Sequence, residues 1–121
     1  MATILPTFTK IRGPGGGIDA VVVTWAGLAN SGDVGQPIQR PDLIDRSFQV
    51  SGTFTSNSVV CEGSNDGQNW FTLTNVAGGS VSFGGAGIMQ VVEATAYVRP
   101  HLTAGSGANL DVNMLLRRTY R

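Results

Sequence analysis

Apolar and polar residues alternate along this chain with the two-residue period of half-buried β-strands, and no stretch carries the 3.6-residue period of an amphipathic helix. The cleanest run is 110–116, where Leu110, Val112, Met114 and Leu116 fall on one side and Asp111 and Asn113 on the other. In 43–55, Phe48, Val50, Gly52 and Phe54 alternate with Gln49, Ser51 and Thr53, as expected of an antiparallel strand with one face on a core. The stretch 18–28, IDAVVVTWAGL, is β-branched and aromatic without a proline, which predicts a core strand. The clearest hairpin is 59–73, VVCEGSNDGQNWFTL, with Ser64, Asn65, Asp66 and Gly67 supplying the turn between two strand-forming runs. Shorter strands are predicted at 80–83, 88–93 and 96–103, with Pro100 marking an edge or a bulge. Residues 29–41 have no consistent period and predict a long loop, with a strand fragment at Ile38. About eight short strands separated by turn residues predict an all-β fold, an antiparallel β-sandwich of jelly-roll type.

Residues 1–17 predict an extended, flexible N-terminal arm, leaving 18–121 as a single β-sandwich domain. Pro6, Pro14 and the run Gly13-Pro14-Gly15-Gly16-Gly17 argue against a regular strand there. The glycine run is not a phosphate loop, because no Lys-Ser/Thr follows it and no helix opens after it. Ile4, Leu5, Phe8 and Ile11 are too many apolar residues for an idle tail. Together with Lys10 and Arg12 they are the candidate docking residues of the arm.

Composition changes the picture mainly by what it removes. Eight basic and eight acidic residues cancel, and charged residues make up only 13% of 121, about half the usual share. A surface so poor in charge suits a protein packed against other protein, and its neutrality argues against nucleic acid. Cys61 is the only cysteine and His101 the only histidine, so no intrachain disulfide or cysteine-based zinc site can form. No apolar run reaches signal-peptide or membrane-spanning length, which predicts synthesis in the cytoplasm.

No constellation for chemistry emerges. Nucleophilic catalysis needs a nucleophile, a base and a group that orients the base, whereas His101 stands beside Pro100 in a predicted strand, and Glu62 and Glu93 fall in different strands. The oxygen-rich run 65–69 lacks the spacing of a calcium loop, and turn chemistry explains it. No catalytic, cofactor-binding or metal-binding residue is therefore assigned, and no enzymatic activity or cofactor is expected. Trp25 and Trp70 are expected in the core, the alternative being sugar-stacking platforms, with Trp70 and Phe71 fixing the hairpin to the sandwich from its two faces. Arg117, Arg118 and Arg121 crowd the tail as solvated residues. The last strand is the expected covered edge, because Leu115 interrupts its polar face. Leu110, Val112, Leu115 and Arg117 are the candidate interface residues of a homodimer or homotrimer.

Two resemblances meet at the hairpin. Glu62-Gly63-Ser64-Asn65-Asp66-Gly67, Asn69-Trp70 and Tyr97-Val98-Arg99 resemble the hairpin and "YVR" strand of discoidin-type sandwiches, which implies glycan binding, although this chain lacks their terminal cysteine pair. The whole layout is similar to small jelly-roll head decoration (cement) proteins of tailed bacteriophages. It shares a short arm, the strand 50–54, the EGSNDGQNW hairpin, a YVRP strand and a closing alternating strand. That resemblance implies a virion structural protein on the capsid exterior, made in the bacterial host, whose partners are the major capsid protein lattice and further copies of itself. A tail or fibre component is the neighbouring expectation.

Overall fold

The computed structural model describes residues 1–12 and 18–118, and among them every regular element is a strand. In chain order these are β1 (Thr3–Ile4), β2 (Pro6–Arg12), β3 (Ile18–Leu28), β4 (Val34–Gly35), β5 (Ile38–Gln39) and β6 (Asp45–Thr53), followed by β7 (Ser58–Ser64), β8 (Phe71–Thr72), β9 (Ser82–Phe83), β10 (Gly87–Val91), β11 (Tyr97–Ala104) and β12 (Asn109–Arg117). They form two sheets. One is five-stranded in the order β10-β6-β12-β3-β2; the other is seven-stranded along the path β1-β4-β11-β7-β8, with β5 also on β11 and β9 also on β7. Counting β4 with β5 and β8 with β9 as two interrupted strands, β10-β6-β12-β3 faces β4/β5-β11-β7-β8/β9. That is the strand order of a jelly roll.

The predicted alternation holds where the ladder is unbroken. Leu110, Val112, Met114 and Leu116 of β12 are fully buried, as are Val23, Trp25 and Phe48. Across the core these meet Val59, Cys61, Leu102, Val81 and Phe83, in one continuous cluster. Phe48 stacks on Phe83 with ring centroids 5.9 Å apart. Cys61 is wholly buried and its thiol is pushed up by burial, so it acts as a small apolar side chain.

Three expectations are corrected. Residues 1–12 are not a detached arm: β2 pairs antiparallel with β3 from Pro6 to Arg12, and β1 pairs parallel with β4. Pro6 is tolerated because it opens an edge strand, where its missing N–H removes no ladder bond. The glycine run 13–17 lies outside the described residues. The last strand is not an edge, since β12 sits between β6 and β3, and Leu110 and Val112 belong to the core rather than to an interface. Pro100 is in neither an edge strand nor a bulge, because β11 has β7 on one side and β4 and β5 on the other, and the register shift falls later, between Leu102 and Ala104. Leu102 N–H donates to Asp33 O on the β4 side. Alternation puts the Pro100 nitrogen on that side too, opposite the break between β4 and β5, where no ladder donor is needed.

That break has a cause in the core. Trp25 Nε1 donates to Gln36 O at 3.0 Å, and a Cβ on Gly35 would lie 2.6 Å from the Trp25 ring and 2.5 Å from Pro100 Cδ. Only glycine lets the chain pass over the indole here. Behind it, the guanidinium of fully buried Arg46 holds the next loop: Nε donates to Leu43 O at 2.8 Å, and Nη2 to Arg40 O and Thr95 O at 2.9 and 3.0 Å.

Candidate binding surfaces

The outer face of the five-stranded sheet follows from its registers. Gln90, Ser47, Leu115, Val22 and Thr9 form one row across all five strands. Ile88, Gln49, Asn113, Thr24 and Thr7 form the next. None of these ten carries a charge, and Thr24 Oγ1 donates to Asn113 Oδ1 within the face at 2.6 Å. Among the described residues, charge lies only towards its ends. At one end Arg117 Nε donates to Asp45 Oδ2 at 2.6 Å, and at the other Asp111 accepts from Gly27 N–H at 3.1 Å. Ile88 is 62% exposed, and Ile11 at the β2 margin is also exposed.

The structure disperses the predicted docking residues. Ile4 is partly buried against the core, whereas Leu5 and Phe8 stay exposed. Phe8 and Lys10 pair with Val23 and Val21 and so take the inward side of β2, while Ile11 pairs with Ala20 on the outward side. Phe8 overhangs an open groove of about 270 Å³ whose other wall includes Pro37 and Ile38. Arg12 closes β2 and is exposed. Of the four interface candidates, Leu115 and Arg117 lie on the outer face, and Leu115 is half-buried there.

The outer face of the seven-stranded sheet is different in kind. Glu62 on β7 stands directly across from Arg99 on β11. Its Oε1 accepts from Arg99 Nε and its Oε2 contacts His101 Nδ1, both at 3.0 Å. The Arg99 guanidinium lies 4.0 Å over the Trp70 ring. Trp70 is therefore a half-buried surface residue capped by a cation and not a core residue, and its neighbour Phe71 is 69% exposed. The expectation that the two pin the hairpin from opposite faces is overturned, because β8 is only two residues long and its inward-facing Phe71 lies at the margin of the sandwich. Leu73, buried two residues later, anchors the hairpin instead. Sequence spacing alone did not bring Glu62 to His101; the antiparallel register of β7 and β11 does.

The hairpin loop is fastened by its own side chains. Asp66 Oδ1 accepts from Ser64 Oγ, Gln68 N–H and Asn69 N–H, each at 2.8 Å, and Oδ2 accepts from Asn69 Nδ2 at 2.7 Å. These bonds, led by the Asn69 and Gln68 N–H groups, hold its carboxyl well below the usual range. Asn65 Oδ1 accepts from Ala96 N–H at 2.9 Å and ties the loop to the start of β11. Beside it, Glu93 accepts from Thr74 Oγ1 and Thr74 N–H, which lower its carboxyl in that order. Between them opens a groove of about 450 Å³ with Phe71 on its wall and Leu73 among its lining residues. The signal for this site was the turn chemistry of 64–69; the exposure of Phe71 had none.

Among the described residues no group of three or more His, Cys, Asp and Glu side chains is placed to hold a metal ion. No protein-family model matches the sequence, and no curated protein does. Among solved structures the chain is similar to the SPBc2 prophage-derived protein YomS, with a TM-score of 0.61 at 13% identity over 80% of this chain and 93% of that one. Weaker likenesses run to the Bacillus endospore appendage pili, with a TM-score of 0.45 at 15% identity over 96% and 91%, and to the K1 cleaved adhesin domain of Lys-gingipain from Porphyromonas gingivalis, with a TM-score of 0.41 at 14% identity over 95% and 75%. The likeness to YomS, which takes in nearly all of that protein, is one of fold: the chain shares its all-β architecture.

Proposed function

We propose that this chain is a structural protein of a bacteriophage particle, acting as a capsid decoration or cement protein that lies on the outer coat lattice and stabilises the head. The observation that carries this reading is the outer face of the five-stranded sheet, two uncharged rows running across all five strands with Ile88 and Leu115 set among small polar groups. Such a face pairs with another flat protein surface without stranding charges. The fold shared with a prophage-derived protein supports it as well. On this reading the partners are the major capsid protein and further copies of this chain, the protein works without a cofactor, and it catalyses no reaction. The contact is made by a preformed sheet face, with β2 as its margin, rather than by an arm that orders on docking.

The test mixes purified undecorated capsids of the parent phage with wild-type protein or with the double variant Ile88→Glu, Leu115→Glu, and compares band intensities on the recovered particles. Both substitutions are on the outer face, so the variant is expected to fold, as checked by its unfolding transition, and to lose at least tenfold in occupancy. Equal occupancy by the two proteins removes the sheet face from the contact, and no occupancy by either removes the decoration role.

A further inference from the structure

We propose that the groove beside the hairpin loop is a binding site for a neutral sugar, with Phe71 as its stacking platform. Four observations meet there. First, Phe71 holds a large apolar ring 69% exposed on a strand whose next inward residue, Leu73, is buried. Such a ring offers a flat surface to the C–H face of a pyranose. Second, the groove's volume of about 450 Å³ falls in the range of small-ligand sites, roughly 300–1,000 Å³.

Third, the polar groups on the wall have both hydrogen-bonding senses. Asn65 uses its side-chain oxygen on Ala96 N–H, which leaves its NH₂ as a donor. Asn69 uses its NH₂ on Asp66, which leaves its oxygen as an acceptor. A donor and an acceptor among the residues that line one groove suit a hydroxyl group, which can use both. Fourth, the charge is one-sided. Asp66 and Glu93 line the groove and no cationic side chain does, so a phosphate, a uronic acid or a sialic acid meets repulsion whereas an uncharged hexose does not.

The site is also held in shape before any ligand arrives. Asp66 accepts four hydrogen bonds within the loop. Behind Asn65 the chain is packed so closely that a Cβ on Gly63 would come within 2.6 Å of Thr95 Oγ1 and 2.8 Å of Leu73 Cδ2. Little ordering is left to be done on binding, which favours a weak ligand of few contacts. The groove lies at the β8 margin of the other sheet, so this inference stands apart from the decoration role and is tested on the isolated protein.

The experiment is saturation-transfer NMR of the full chain with maltotriose, lactose, chitotriose and, as the anionic control, trigalacturonate. Transfer to the ring C–H protons of at least one neutral sugar is expected, with none to trigalacturonate. Phe71→Ala should weaken the binding at least tenfold and Phe71→Trp should keep or tighten it, with wild-type unfolding transitions in both. Absence of transfer to every neutral sugar, binding indifferent to Phe71→Ala, or equal binding of trigalacturonate each overturns the proposal. So does a Phe71→Ala protein that loses capsid occupancy while its sugar binding stays intact, because the ring would then be a protein contact.

Discussion

The two sheets of this sandwich are held together by different means. In the five-stranded sheet, β6, β12 and β3 run for nine, nine and eleven residues in nearly unbroken register, and the backbone ladder does the work. The seven-stranded sheet has two long strands, β7 and β11; around them lie five two-residue fragments, and side chains take over where the ladder stops. Asp33 bridges the loop after β3 and the chain's start, Asp66 closes the hairpin, Asn75 caps the turn between β8 and β9, and Glu93 holds Thr74. A sheet held by its backbone can leave its outer face plain, and this one does. A sheet held by side chains carries charges, loops and grooves, and the hairpin groove arises there.

The two tryptophans break or sustain that contrast most sharply. Trp25, on β3 of the ladder-held sheet, is fully buried under Gly35, so Trp25→Ala should cost about 3–5 kcal/mol. Trp70 rests on the surface of the other sheet against Arg99, and Trp70→Ala should cost about 1 kcal/mol, the scale of a surface cation–π contact and some lost packing. Urea unfolding of both variants measures the difference. Equal losses would mean that the hairpin face is as much core as the centre.

This is also where the sequence was legible and where it was not. Alternation located β3, β6 and β12 and their buried residues, because a long ladder imposes one period on side chains that must face one core. It misplaced Trp70 and Phe71, since a two-residue strand at the sandwich margin has an inward side with nothing opposite it. The N-terminal segment failed for the converse reason: proline and glycine weaken a strand's intrinsic preference, yet β3 has a free edge and pairing with it overrides that preference. Leu115 was a sound clue to the outer face, although the edge position inferred from it was not, because strand order is a long-range property that local pattern does not carry. The pairing of Glu62 with Arg99 and His101 is long-range in the same way.

Arg46 gives the next largest effect, because it is the point at which the ladder-held sheet reaches across to the side-chain-held one. Its guanidinium is fully buried without a carboxylate partner and serves three backbone carbonyls of the loops at 40–43 and 95. Arg46→Met keeps an unbranched apolar stem but removes the donors and strands those carbonyls. A loss of about 2–4 kcal/mol is expected from groups left buried without donors. Hydrogen exchange should show the cost concentrated in residues 40–43 and 93–96. A variant as stable as wild type would mean that those loops rehydrate freely and that Arg46 links nothing.

The effect that depends on pH is smaller than that of Arg46. Asp33 is buried, and burial alone would raise its carboxyl; the N–H groups of Asn30, Ala29 and Ala2, with help from the chain's amino terminus, outweigh this and lower it from 3.8. The unfolded chain therefore takes up a proton at a higher pH than the folded one. The stabilisation is fully present above about pH 4 and is lost as pH falls through the lower folded value. Glu93 and Asp66 are shifted in the same direction by their own hydrogen bonds, so all three carboxylates act on the side-chain-held half of the molecule. Asp33→Asn, which keeps one acceptor oxygen and loses the charge, should cost about 1–2 kcal/mol at neutral pH, and the difference from wild type should shrink as pH falls through the lowered folded value. Urea midpoints of both proteins at steps from pH 7 to pH 2.5 measure this. Hydrogen exchange on the wild type at the acid end should then show amides of residues 29–34 and 64–69 opening before those of β6, β12 and β3. Simultaneous opening of both sets would mean that the backbone ladder, and not the carboxylates, holds the interrupted sheet.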